Sequence, residues 1–498
     1  MSSSIPGTPW VEDRSSDVIE DIWARTGSPS AARVPSIGRI VQAEESGGLG
    51  RAVAEVVEAA RDMVLVSSFL FADPATERAL LDAARQRRVR VYLLVASEAR
   101  LDKEVRAEDA FATKTVEEHK RLLDRLAGWV YVRSAEHFHA KFVVADPKSQ
   151  PRGVLLTANL TREALTRNHE LGVRLRLEEA RGLAGLFTWA FWESAQRELL
   201  EEGRLPPVTA PARIPLPNPA AGVVATAGTR RDLRAAVINL IAQAKRSLAI
   251  ATFGIADPEV VDLLEERARN GVAVTLLVRH PRPAMFETLR RLARTGVEVL
   301  GVSEWLHAKA IVADGVRGLV MTANLEAHGL EHGFEVGVEL EGDDAADLAR
   351  VLASWQAEAP AQLLTSARLG ELRGMVQVMN GKGYRDLTIE AKGRIDDGVA
   401  KVDCCTRIAS APHPPQRRTP DGKLYQMVEH VWSIEPPVLA RGARPVQDPK
   451  DAGGQVPPFP IYVEPSGRRV FAVGGLGEVD AAGAAMAAFG VQAVVLRG

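Results

Sequence analysis

Two stretches of this chain, "HFHAKFVVAD" at 137–146 and "WLHAKAIVAD" at 305–314, repeat the same polar residues at the same spacing. His139 and Lys141 are two apart, as are His307 and Lys309, so on a strand each pair projects from one face. Asp146 and Asp314 each follow their lysine by 5 residues, and Glu170 and Glu335 each follow Asn159 and Asn324 by 11. Only the hairpin turn between Asp and Asn differs in length, "PKSQPR" in one copy and "GVRG" in the other.

A phosphate diester accounts for this set. Its cleavage needs a nucleophile, a proton donor for the leaving oxygen, and fixed positive charge around the non-bridging oxygens. Imidazole, with an unperturbed pKa of about 6.5, serves as nucleophile or acid near neutral pH. Two histidines on opposite sides of phosphorus permit in-line attack and departure. Lys141 and Lys309 supply charge, and Asn159 and Asn324 supply neutral donors. Glu170 and Glu335 accept from a ring nitrogen and hold each imidazole in its working tautomer. Asp146 and Asp314 complete the two motifs and are counted with the catalytic residues. No cluster has metal-ligand spacing, so neither a metal nor another cofactor is expected.

The doubled H-x-K-x-x-x-x-D pattern, each copy followed by a small-residue–Asn segment, resembles the phospholipase D superfamily. The resemblance covers roughly residues 49–365. It implies a pseudo-twofold bilobal fold with one active site between the halves, a covalent phosphohistidine intermediate and no metal requirement. Members often carry Gly-Ser before the Asn. Here stand Thr157-Ala158 and Thr322-Ala323, so the hydroxyl contact is expected to sit differently or be lost. By analogy with members bearing both motifs on one chain, His139 is expected to attack and His307 to act as general acid.

The elements that must position these residues are also duplicated. "DMVLVSSFLFADPATERALLDAARQRRVRVYLLV" (62–95) and "RSLAIATFGIADPEVVDLLEERARNGVAVTLLV" (246–278) each read strand, Ala-Asp-Pro turn, amphipathic helix, strand. Leu80, Leu81 and Ala84, and Val261, Leu263 and Leu264, recur at helical spacing, and the β-branched runs suit buried strands. The fold class expected is α/β: two tandem pseudo-twofold-related domains, each a mixed sheet flanked by helices, at 49–203 and 223–365. A polar arm (1–48) precedes them, a Pro-rich linker (204–222) joins them, and a small β-rich accessory domain (366–498) follows, with strand-like runs between "DDG", "PDGK" and "PSGR" turns.

Nearby residues admit plainer readings. His137 and Trp305 occupy equivalent positions and read as pocket wall; His169 and His332 read as solvated loop residues. The basic clusters "RQRRVR" (85–90), "LRRLART" (289–295) and "QRRTPDGK" (416–423) suit a solvated face, with nucleic-acid backbone as the alternative. The 2 Cys, Cys404 and Cys405, are adjacent and read as an inert pair in a strand, a vicinal disulfide being the alternative.

Composition narrows the substrate. The 498 residues are 46% hydrophobic and 25% charged with a formal net charge of −2, ordinary values that exclude a globally basic polyanion binder. The N-terminus lacks a basic start and apolar core, so it is not a secretory signal. The longest apolar stretch, "AAGAAMAAFGVQAVVL", is too short to span a bilayer. A cytoplasmic enzyme without integral membrane contact is expected. Among the phospholipases, phosphatidyltransferases and nucleases that the superfamily resemblance implies, this exclusion favours a metal-independent nuclease acting on DNA or RNA, in phage defence or repair, with the C-terminal domain recognising substrate or a protein partner. The alternatives are a phospholipid head-group hydrolase or phosphatidyltransferase, and a partner-gated subunit of a larger assembly. Oligomeric state is left open.

Overall fold

The computed structural model describes residues 18–25, 34–44, 47–97, 101, 110–208 and 213–368, and beyond them the backbone of strands between 375 and 495. The chain forms two compact units, one comprising Ser28–Pro360 and the other Met1–Gly27 with Ala361–Gly498.

Within the first unit the duplication is explicit in two mixed sheets of matching order. The first runs Ile40–Gln42, Leu171–Arg174, Arg152–Leu156, Phe142–Ala145, Met63–Ser67, Arg90–Ala96, Tyr131–Ala135, ending in Arg197–Leu199. In the second, Val223–Ala227, Glu335–Glu341, Arg317–Met321, Ala310–Ala313, Ser247–Thr252, Ala273–Arg279 and Glu298–Ser303 take the equivalent places. In each sheet the first strand after the opening helix lies parallel to the next strand and antiparallel to the motif strand. This is the α/β architecture expected.

Local chemistry builds the repeated strand–helix units. Asp73 caps helix Pro74–Arg85 by accepting from the Thr76 amide at 2.8 Å, and Asp257 caps Pro258–Arg269 by accepting from Val260 at 3.1 Å. In both, proline fills the first turn, where a missing N–H costs nothing. The Ala-Asp-Pro turn thus starts a helix twice.

The two sheets share one apolar layer. It joins Leu94, Phe142 and Phe187 of the first half to Leu306, Val312, Val320 and Trp355 of the second. Phe138 stacks on Phe334 across the halves, with centroids 5.1 Å apart. Backbone bonds reinforce the seam: His139 N–H donates to Phe334 at 3.1 Å, Phe334 N–H to His137 at 2.7 Å, and His307 N–H to His169 at 3.1 Å.

Two strands lie inside the stretch expected to be a polar arm. Ile40–Gln42 pairs with Leu171–Arg174 and takes the place in the first sheet that Val223–Ala227 takes in the second. Val18–Arg25, in the other unit, pairs antiparallel with Ala361–Arg368. Its acidic residues hide a β pattern in which Ile22 and Trp23 are buried. That unit is otherwise strand-rich, with Met375–Asn380, Gly383–Asp396 and Val399–Ala409 forming an antiparallel run that includes Cys404 and Cys405. Among the described residues no helix is long and apolar enough to cross a membrane.

Candidate active site

His139 and His307 each precede a short strand, Phe142–Ala145 or Ala310–Ala313, whose four side chains are all buried. The cross-half backbone bonds at Phe334 and His169 fix where the two imidazoles stand. Each imidazole is then held by a glutamate from the opposite half. His139 Nδ1 lies 2.7 Å from Glu335 Oε1, and His307 Nδ1 lies 2.7 Å from Glu170 Oε1. An ionised carboxylate only accepts, so each Nδ1 carries the proton and each Nε2 keeps its lone pair.

Each glutamate is held in turn. The Thr157 hydroxyl donates to Glu170 Oε2 at 2.6 Å, and the Thr322 hydroxyl donates to Glu335. The hydroxyl expected to sit differently or be lost therefore supports the carboxylate that orients the histidine. Burial alone would raise both glutamates. The facing imidazole, its hydrogen bond, the nearby lysine and the threonine outweigh that and lower them. Both carboxylates are ionised at neutral pH.

Lys141 and Lys309 are fully buried. Each ammonium donates to the carbonyl of its own histidine at 2.6 Å, and Lys309 Nζ also lies 3.0 Å from His307 Nε2. Burial pushes both imidazoles down to about 4. The facing glutamate opposes that shift, and the lysines of both halves add to it. Each histidine thus feels the other half's lysine, as one shared centre requires. The side chains of His139 and His307 keep 23% and 22% exposure, enough for access from outside.

The asparagines lie less symmetrically. Asn159 Oδ1 is 3.4 Å from the Leu70 amide, whereas Asn324 Oδ1 is buried without a hydrogen-bond partner.

The two aspartates are not in this centre, which corrects their expected catalytic place. Five residues of extended chain at about 3.3 Å each carry Asp146 roughly 16 Å from Lys141, to the far end of the strand. There Asp146 accepts from the amides of Arg61, Asp62 and Met63 at 2.8, 2.8 and 3.0 Å. Asp314 accepts from Lys245, Arg246 and Ser247 at 3.0, 2.7 and 3.0 Å. Both have positive φ, 49° and 55°, a conformation that aspartate tolerates better than most residues. Burial would raise these carboxyls, but the three amides hold them below the usual range. Each aspartate staples the motif strand to the start of its neighbour.

Other expectations sort themselves locally. His137 lies against His328, and Trp305 against Arg167, as wall residues. His169 is not a solvated loop residue: its backbone clamps His307, its Nδ1 lies 3.1 Å from Ser303 Oγ, and its ring meets Trp355 edge-on. His332 is exposed. Arg87 caps helix-end carbonyls, Arg90 pairs with Asp62, and Arg290 and Arg291 pair with Glu287 and Glu265. These clusters satisfy their own surface. Most of 416–423 lies outside the described residues. Phe69 and Phe253 were missed, although F-x-x-A-D-P occurs twice.

The family model described as "Cardiolipin synthase, PLD-like domain" matches residues 53–189 and 237–355, together just over half of the chain. The chain belongs to the phospholipase D superfamily. A protein named "Probable cardiolipin synthase YwiE" from Bacillus subtilis (strain 168) is 24% identical over 218 residues, 40% of this chain and 42% of that protein. The chain thus spans about two fifths of the length of this curated relative. Among solved structures, phosphatidylserine synthase from Haemophilus influenzae Rd KW20 is similar at 14% identity, covering 70% of this chain and 90% of that one, with a TM-score of 0.49. The phospholipase D family member Nuc from Salmonella typhimurium is 18% identical, covering 28% and 95%, with a TM-score of 0.25. Neither the matching family model nor the curated relative supports the expected nuclease specificity.

Proposed function

We propose that this phospholipase D-like enzyme cleaves or exchanges the head-group phosphodiester of a phospholipid. The observation that carries the chemistry is the pair of cross-half His–Glu contacts around two buried lysines. The choice of phospholipid over nucleic acid is supported by the family model and the curated relative.

His139 Nε2 attacks phosphorus, forming a P–N bond as the P–O bond to the head-group alcohol breaks. His307 gives its proton to the departing oxygen. Water or a second alcohol then attacks phosphorus and loses its proton to His307, and the P–N bond breaks to restore His139. Lys141, Lys309, Asn159 and Asn324 surround the phosphoryl oxygens, and Glu335 and Glu170 stabilise the imidazolium that forms beside each. A neutral imidazole, as burial and the lysines favour, is the form that attacks. The anionic substrate shifts its partner towards the protonated form.

The test offers the purified protein phosphatidylglycerol vesicles, single-stranded DNA, duplex DNA and RNA, beside a His139→Asn/His307→Asn control. Lipid head-group release or transfer by the wild type alone is expected. Cleavage of nucleic acid with no action on lipid overturns the substrate and leaves the two-histidine chemistry standing.

A further inference from the structure

The two histidines have matching partners but unlike surroundings. Phe69 meets His139 edge-on with centroids 5.0 Å apart, and Phe253 meets His307 at 5.0 Å. Each ring also faces the lysine of its own half, Lys141 at 5.9 Å and Lys309 at 5.8 Å. There the likeness ends. Phe253 carries two further cations, with Arg282 Cζ 3.7 Å and Arg279 Cζ 5.2 Å from its centroid. A third, Arg167, lies over Trp305 at 3.7 Å, and Trp305 stands two residues before His307. The equivalent of Trp305 beside His139 is His137, which faces His328. Among the described residues no guanidinium lies over Phe69 or His137.

Arg279 and Arg282 share one ring beside His307, Arg282 also donating to the Phe253 carbonyl, and like charges so placed repel one another. Among the described residues neither Arg167 nor Arg279 has a carboxylate partner. Stacking on an aromatic face fixes the guanidinium plane while leaving in-plane N–H donors for a planar or tetrahedral anion. Addition of the two centroid distances puts Arg282 within about 9 Å of the His307 ring, a reach that a glycerol unit between two phosphates can cover. Arg279 and Arg282 are half-buried, and Arg167 is exposed.

We propose that the Phe253–Trp305 side of the centre is a subsite for a second phosphate of the substrate, bound by Arg167, Arg279 and Arg282 beside the phosphodiester under attack. The identity of the molecule rests on the phospholipid reading above; the anion chemistry does not. The polar group bearing the second phosphate then lies on the His307 side. His307 faces the P–O bond that breaks, and His139 attacks from the opposite side. The stacked arginines therefore also assign the two histidine roles.

The test is calorimetric titration of the full-length protein with glycerol 1,3-bisphosphate and with glycerol 1-phosphate. The wild type is expected to bind the bisphosphate at least about tenfold more tightly, equivalent to about 1.4 kcal/mol. Arg279→Gln/Arg282→Gln cuts that advantage to about threefold or less. Arg167→Gln, on a different segment, reduces it independently should the double variant fail to fold. Equal affinity for the two ligands, no binding of either, or an advantage that survives in the variants overturns the subsite. If the arginine-dependent advantage holds while vesicles are untouched and an oligonucleotide is cut, the phospholipid reading falls and the subsite stands, its second phosphate being the neighbour along the strand.

Discussion

At the scale of single residues, the proton on each imidazole is placed by a carboxylate that only accepts. Glu335→Gln keeps the size of the side chain but offers an amide that also donates, so His139 loses the preference that leaves Nε2 free. A kcat lower by about 100- to 10,000-fold is expected with a smaller change in KM, by the logic of a triad whose carboxylate is made an amide. Steady-state kinetics on a phospholipid substrate checks it, and a kcat within threefold of wild type would remove the glutamate from the mechanism. The residue types and their register were legible, because duplication wrote His, Lys, Asn and Glu twice. The exchange of glutamates between halves was not. It depends on how two sheets face each other, and spacing along the chain carries no information about that. The Thr157 and Thr322 hydroxyls were hidden for a similar reason, since their partners lie 13 residues on and meet them only across paired strands.

At the scale of elements, strand rise separates what the motif writes together. Asp146 belongs to the sequence signature, but a four-residue strand takes it to the opposite end, where it holds three successive amides leading into the neighbouring strand. Asp146→Asn can accept fewer of these bonds and carries no charge. A loss of roughly 1 kcal/mol of stability is expected from part-buried amides left poorly paired. Urea denaturation measures it, and the folded fraction should keep its kcat within a few-fold. A large fall in kcat at full stability would return Asp146 to the chemistry.

A second element-scale prediction concerns helix Ala110–Leu126. His119 on this helix is 2% exposed, and its Nδ1 accepts from the Phe71 amide at 3.0 Å. Burial pushes its pKa down to about 4. The unfolded chain therefore takes up this proton near pH 6.5, whereas the folded chain resists until about pH 4. Stability from this group is fully present above pH 6.5 and is lost as pH falls towards 4. His119→Asn should flatten the pH dependence of unfolding between pH 7 and 4.5 by roughly 2–3 kcal/mol. An unchanged slope in urea titrations would contradict the assignment. Helix starts were legible from Ala-Asp-Pro, because capping is local. The strand Ile40–Gln42 was not, since three residues at a sheet edge leave too short a pattern to separate from a polar arm.

At the scale of the whole molecule, duplication made the two-sheet plan of Ser28–Pro360 readable in the sequence. The matching strand orders follow from it, and the shared apolar layer explains why neither half contains a finished centre. Each imidazole borrows its glutamate, its backbone clamp and part of its electrostatic field from the other half. Substrate choice was less legible. The lack of a signal-like start or a spanning stretch argued for nucleic acid by exclusion within the superfamily, whereas the family model and the curated relative support phospholipid. The arginines stacked near His307 could be found only once Phe253 was seen against that imidazole.

The central claim is covalent transfer through His139 with His307 as acid. The most direct measurement uses a phosphorus-32-labelled phosphatidyl ester of nitrophenol, whose leaving group needs no proton, with rapid quenching and peptide mapping. His307→Asn should accumulate label on the peptide containing His139, stable to base and released by acid, while His139→Asn should remain unlabelled. Label on His307 in the His139→Asn protein, or turnover that persists with neither histidine labelled, would contradict the account.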